Sequence, residues 1–204
     1  MQLLLATTNK GKIIEINECL QGLPIDVKTP ADFGITDAPH EHGKTYRDNA
    51  IIKATFYHER CGIPVLADDS GIVIEALQNE LGVQTRRWGA GPDASDYEWI
   101  HVFLKRMKTE ENKRAQFVCC LAFIGEDEVL EVFEGTCEGV ITETLEADYL
   151  PGLPISACFR PDGFDCVYSG MNLEQKNSTS HRGKALEKFR GFLVQRDAAS
   201  QLRG

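Results

Sequence analysis

The apolar positions of this chain follow two rhythms. Short unbroken runs such as Leu3-Leu4-Leu5 and Val65-Leu66-Ala67 read as buried strands, whereas Ile13, Ile14, Ile16 and Leu20 recur at helical spacing. Strands are therefore expected near 2–6, 24–29, 63–67, 71–76, 114–124 and 128–139, and helices near 11–20, 45–60, 95–108 and 181–196. The runs 114–124 and 128–139, joined through Gly125-Glu126-Asp127, read as one long antiparallel hairpin. The pattern predicts a mixed sheet flanked by helices, in the α/β (mixed α+β) class. No repeat, low-complexity stretch or linker interrupts it, so residues 1–204 read as one domain.

Four polar segments punctuate this pattern. Thr7-Thr8-Asn9-Lys10-Gly11-Lys12 follows the first strand and opens the first helix, so hydroxyls, backbone N–H groups and Lys12 can surround a phosphate chain. It lacks the glycine spacing of a Walker A loop. Glu41 precedes a helix that Thr45 and Asp48 start with capping-box spacing, Asp standing where Glu or Gln is usual. Asn49 and Lys53 share a face of that helix, and Glu41 lies where a carboxylate can reach a metal; Lys44 and Arg47 read as solvated. Asp68-Asp69-Ser70-Gly71 sits between two strand-like runs and reads as a turn at a strand end. Adjacent acids repel unless a cation or hydrogen bonds offset the charge, and Mg²⁺ binds through one or two carboxylates plus substrate phosphates. Ser180-His181-Arg182-Gly183 opens the last helix, with Ser180 as N-cap and two basic side chains at a positive dipole end that suits phosphate. Taken singly, each segment has an ordinary structural reading: a junction, a surface helix, an Asp-rich turn, a capped helix.

Together, and in this order, they resemble the inosine triphosphate pyrophosphatase family, whose members clear deaminated purine nucleotides. Thr7-x-Asn9-x-x-Lys12 is similar to its triphosphate-binding start, and Glu41 with Thr45, Asn49, Ala50 and Lys53 to its second motif. Ala67-Asp68-Asp69-Ser70-Gly71 resembles its catalytic turn, and Lys176 with Ser180-His181-Arg182-Gly183 its nucleotide-binding signature. The resemblance runs from Leu3 to about Gln195 and implies two lobes around a central cleft, and a homodimer.

Two stretches depart from the family. Where it has Gly-Phe-Gly-Tyr-Asp-Pro, this chain reads Gly152-Leu153-Pro154-Ile155-Ser156-Ala157, and Cys158-Phe159-Arg160-Pro161 returns to register. In the family the aromatic ring stacks on the base and the aspartate reads its edge; Leu153 has no ring and Ser156 no charge. In Gln84-Thr85-Arg86-Arg87-Trp88, Arg87 and Trp88 fit the family and Arg86 is an added charge.

Composition narrows the setting. The net charge of −9 opposes broad nucleic-acid binding, so a polyanionic substrate needs a local cationic cluster from Lys12, Lys53, Arg87, Lys176 and Arg182. No apolar run approaches the ~20 residues that span a membrane, and no signal peptide is evident. Seven cysteines without a C-x-x-C pattern read as reduced, which favours the cytoplasm.

The expected reaction is hydrolysis of a nucleoside triphosphate to monophosphate and pyrophosphate, with inosine, deoxyinosine and xanthosine triphosphates as the substrates the resemblance implies. It assigns Glu41 and Asp69 to Mg²⁺, with Mn²⁺ a substitute, Asp69 also to proton acceptance, and Lys53 to catalysis. Asp68 reads as a supporting carboxylate, because neighbours in a strand point apart. Substrate binding falls to Thr7, Thr8, Asn9, Lys10, Gly11, Lys12, Ser70, Arg87, Gly152, Leu153, Ser156, Lys176, His181 and Arg182. The altered 152–157 run leaves two alternatives open: the same chemistry on a pyrimidine or modified nucleotide, and a sensor that binds nucleotides with little turnover.

Overall fold

A computed structural model describes residues 1–78, 80–81, 88–91 and 93–201. Among these, one six-stranded mixed sheet forms with strand order β2-β1-β3-β4-β5-β6. Its strands are β1 (Gln2–Leu5), β2 (Asp26–Lys28), β3 (Val65–Ile74), β4 (Arg114–Ile124), β5 (Leu130–Ile141) and β6 (Phe159–Pro161). The helices are α1 (Lys10–Leu20), α2 (Tyr46–Cys61), α3 (Asp96–Met107), α4 (Leu173–Thr179) and α5 (His181–Gln201). β1 pairs in parallel with β2 and β3, and β3 to β6 pair antiparallel in sequence.

Strand alternation builds the core on both faces of the sheet. Leu3, Leu5, Leu66, Leu121 and Phe123 pack under α1 and α5 with Ile16, Leu186 and Phe189. Leu4, Val65, Ala67, Cys120 and Ala122 face the other way, against Tyr46, Ala50, Ala54 and Tyr57 of α2. A second lobe forms at the far end of β3 and β4. There Trp99, Ile100, Phe103 and Met107 recur along one face of α3 and bury against Ile72, Ile74, Phe159 and Tyr168. Burying each such side chain contributes about 1.5–3 kcal/mol.

The expected class and the four long helices are present. Three details differ. First, 63–67 and 71–76 are not two strands around a turn: β3 is continuous, and each residue from Val65 to Ile74 faces a β4 partner from Ile124 back to Ala115. The acids therefore sit mid-strand, tolerated because each is neutralised by a cation. Second, the hairpin turn is longer, with Gly125 N–H bonded to Val129 O and Glu128 at φ 59°. Third, α4 and β6 lie outside the elements the sequence pattern predicts. α4 buries no residue and shows no apolar period, and β6 is a three-residue strand closing the end of β5.

Candidate active site

β1 stops at Leu5, opposite Leu66, so among the described residues β3 beyond this point is paired only to β4. The unpaired edge of β3 opens a cleft of about 570 Å³, within the size of ligand sites. Around it lie the turn after β1, the segment before α2, the start of α5 and the loop 152–156. Because the cleft straddles a strand edge, it receives side chains from both faces of β3. Asp68 and Ser70 point one way and Asp69 the other.

On the first face, Asp68 is fully buried among cations. Lys12 Nζ and Ser70 Oγ (2.9 Å) donate to Oδ1, and Arg182 Nε donates to Oδ2 at 2.8 Å. Burial alone would raise its pKa, but Arg182 and Lys12 outweigh that and hold the carboxyl well below the usual range. Arg182 also donates from Nη1 to Glu15 and from Nη2 to Ser70 Oγ at 2.8 Å. Glu15 in turn holds Lys176 at 2.5 Å. Three cations against two carboxylates leave an excess positive charge on this side.

On the second face the balance reverses. Lys53 Nζ lies 2.7 Å from Asp69 Oδ1 and 3.8 Å from Glu41 Oε1, one cation between two carboxylates. Burial raises the Asp69 pKa, with Lys53 and Lys12 opposing. Among the described residues no three His, Cys, Asp or Glu side chains converge as a metal cage. A pair of carboxylates beside a phosphate-sized cationic site is the donor set Mg²⁺ takes when substrate phosphates complete its shell, so these residues fit that ion. Asn49 Oδ1 accepts the Gly43 N–H at 2.8 Å and so fixes the segment carrying Glu41.

The turn after β1 is held by its own side chains. Thr7 Oγ1 accepts the Asn9 N–H at 3.2 Å, and Asn9 caps α1 by accepting the Lys12 N–H at 3.1 Å. Thr7, Thr8, Asn9 and Lys12 line the cleft; Lys10 is exposed and outside it. Gly11 is also outside, because its N–H is spent on Pro151 O at 3.1 Å and Leu153 lies against it. Lys176 reaches the cleft only through Glu15. Arg87 lies outside the described residues, while Trp88 packs in the α3 core, 6.4 Å from the Phe103 ring.

The other end of the cleft is apolar and aromatic, walled by Leu153, Ile155, Trp99, Phe117 and Tyr168. His181 stacks on Phe117 with ring centroids 4.6 Å apart. Burial, reinforced by Arg182, lowers its pKa well below the usual value, so the ring is neutral. Ser156 Oγ donates to Leu153 O at 2.6 Å, and Ser169 Oγ lies 2.7 Å away. A carbonyl can only accept, so the Ser156 proton is committed and Ser169 supplies the other.

Glu15, Asn49's link to Gly43, Ser169 and the aromatic wall were not singled out from sequence as site residues. Glu15 had one signal, a carboxylate inside the apolar stretch Ile13, Ile14, Ile16. The aromatic wall had none, since a sequence does not distinguish a Trp99, Phe117 or Tyr168 that lines a cleft from one that fills a core.

Residues 3–192 match the model of the Ham1 family. A dITP/XTP pyrophosphatase of Leptospira interrogans is 36% identical over 192 residues, covering 94% of this chain and 96% of that protein. One from Thermus thermophilus is 38% identical, covering 91% and 88%. Among solved structures, a Ham1 protein from Coxiella burnetii superposes with a TM-score of 0.81 at 31% identity, covering 96% and 99% of the two chains. The Staphylococcus aureus Ham1 protein gives 0.81 at 28%, covering 96% and 100%.

Proposed function

This chain belongs to the Ham1 family, and on that premise we propose that it hydrolyses (deoxy)nucleoside triphosphates to monophosphate and pyrophosphate, with deaminated purines as preferred substrates. The observation that carries this reading is the reversal of charge across the strand edge. A triphosphate meets excess positive charge at Lys12 and Arg182, with Lys176 offsetting Glu15 behind them, and a cation meets excess negative charge at Glu41 and Asp69.

Glu41 and Asp69 would hold Mg²⁺, or Mn²⁺ in its place; when bound, such an ion offsets phosphate charge and polarises the reacting phosphoryl group. Asp69, its pKa raised by burial, accepts a proton from the water that attacks the α-phosphorus. The bond from that phosphorus to the bridging oxygen breaks, and pyrophosphate leaves. Lys12 and Lys53 neutralise the charge that develops on the phosphoryl oxygens. Asp68 takes no part in proton transfer; its place among Lys12, Arg182 and Ser70 makes it the anchor that orients them. The base enters the apolar end, beside His181 and Leu153.

A cytoplasmic setting is supported by seven cysteines that are all free, and among the described residues no helix is long and apolar enough to cross a membrane. A homodimer is our expectation from the resemblance, to be checked by light scattering. The test of the activity is pyrophosphate release from a panel of nucleoside triphosphates with Mg²⁺. Turnover that vanishes in excess chelator and returns with Mg²⁺ or Mn²⁺ is expected. No turnover of any nucleotide would leave the sensor reading in its place, and full activity in chelator would remove the metal.

A further inference from the structure

The loop that carries Leu153 is held by two lobes at once. Gly152 N–H donates to Asp96 Oδ2 at 2.6 Å, and Asp96 is the first residue of α3, in the second lobe. Gly152 O accepts from Asn9 Nδ2 at 3.1 Å, and Asn9 is the cap of α1, in the first. One residue away, Gly11 N–H donates to Pro151 O at 3.1 Å. Gly152 adopts φ +82°, and a Cβ there would sit 2.5 Å from Asn9 Nδ2, so both bonds require glycine.

We propose that Asp96 is a positioning residue that locks the Gly152 peptide and thereby presents Leu153 to the nucleotide base. The argument rests on the nucleotide reading of the cleft. Asn9 divides its amide between two tasks: Oδ1 accepts from Lys12 N–H, and Nδ2 grips Gly152. The phosphate turn and the base loop therefore share one side chain, and Asp96 supplies the opposing grip from α3. A carboxylate acceptor makes the stronger kind of bond to a backbone N–H. Without it Gly152 is held from one side only, and ordering of the loop must be supplied by the incoming base. That cost falls on affinity for the base, since Lys12, Lys53 and Asp69 keep their partners.

The experiment measures steady-state kinetics for inosine triphosphate, together with binding of a non-hydrolysable inosine triphosphate analogue and of inorganic tripolyphosphate. Asp96→Ala is expected to raise KM and the analogue Kd about tenfold, a loss of about 1.4 kcal/mol, with kcat within about twofold and tripolyphosphate binding unchanged. Asp96→Asn, whose amide oxygen can still accept the Gly152 N–H, should recover most of the affinity. Glu98→Ala weakens the same helix start by removing the capping box with Ser95, yet leaves Gly152 untouched, and should behave as wild type. The proposal falls if Asp96→Ala binds the analogue normally, if it loses tripolyphosphate equally, or if Glu98→Ala reproduces its defect. A wild type without turnover of any nucleotide would instead overturn the activity itself.

Discussion

The two ends of the cleft are built on opposite principles. At the phosphate end, five charged side chains (Lys12, Glu15, Asp68, Lys176, Arg182) interlock, and every carboxylate there meets at least two cations. At the base end, Leu153, Ile155, Trp99, Phe117 and Tyr168 make an apolar wall where Ser156 turns its hydroxyl inward on Leu153 O and Ser169, and His181 Nδ1 and Tyr168 Oη lack a hydrogen-bond partner among the described residues. A buried ion network roughly breaks even against an apolar replacement, so stability does not explain its presence. Its value is in fixing the position of charge before substrate arrives, which lowers the reorganisation a transition state would demand. The base end has no comparable fixed charge and reads its ligand by shape. Chemistry at one end should therefore be unforgiving of substitution, and selectivity at the other soft.

Asp69→Asn tests the unforgiving end most severely. The volume barely changes, but the proton acceptor and one metal charge are removed. Loss of the general base alone costs roughly 10²–10⁴ in rate. Stopped assays at saturating Mg²⁺ should find kcat reduced by that much with the melting temperature nearly unchanged. Wild-type turnover in this variant would place the acceptor elsewhere.

Arg182→Met asks whether the network is also structural. The guanidinium is 3% exposed and bonds Asp68, Glu15 and Ser70. Removing one partner of a buried pair costs about 3–5 kcal/mol; here Lys12 and Lys176 still face the two orphaned carboxylates, so about 3 kcal/mol is expected by urea denaturation. A loss under 1 kcal/mol would mean that the network is dispensable for folding.

Apart from Glu15, the charged end was legible in sequence because its residues have a pairing need. Lys12, Lys53, Asp68, Asp69 and Arg182 each stand out from the sequence, although the Asp pair reads there as a turn. That error has a physical source: two adjacent acids look incompatible with a strand interior until Lys53 and Arg182 appear on opposite faces of it. The apolar end was not legible beyond Gly152, Leu153, Ser156 and His181. Trp99 and Tyr168 obey the same periodicity whether they fill a core or line a cleft. Asp96 looks like any acid in the first turn of a helix until Gly152, 56 residues away, is seen to bond it.

A smaller effect separates the two ends through pH. His181, 5% exposed, stays neutral because burial and Arg182 push its pKa well down, whereas in the unfolded chain it titrates near 6.5. Below about pH 6.5 the unfolded state therefore binds the extra proton, and stability falls with falling pH by about 1.4 kcal/mol per unit until the folded pKa is reached. Urea denaturation at pH 7.5 and 5.5 should show this loss in the wild type and less of it in His181→Phe. Equal slopes in the two proteins would show that His181 protonates freely when folded.

The smallest expected change concerns the soft end. Leu153 offers packing without a ring face, and the Ser156 proton is committed to Leu153 O, so a base edge meets a weak acceptor in place of a carboxylate. Discrimination by hydrogen bonding depends on leaving a buried polar group unpaired with the wrong ligand, and a hydroxyl with other partners pays little for that mismatch. The wild type is thus expected to prefer inosine and xanthosine triphosphates over ATP and GTP by less than the family resemblance implies. Leu153→Phe/Ser156→Asp adds stacking and a fixed acceptor. Stacking on an aromatic side chain contributes roughly 1–3 kcal/mol, and the lower end of that range corresponds to about a fivefold rise in the ratio of kcat/KM for inosine triphosphate to that for ATP. A wild type that already discriminates strongly, with no gain in the double variant, would show that the base is read from another side of the cleft, where His181 and Arg182 stand.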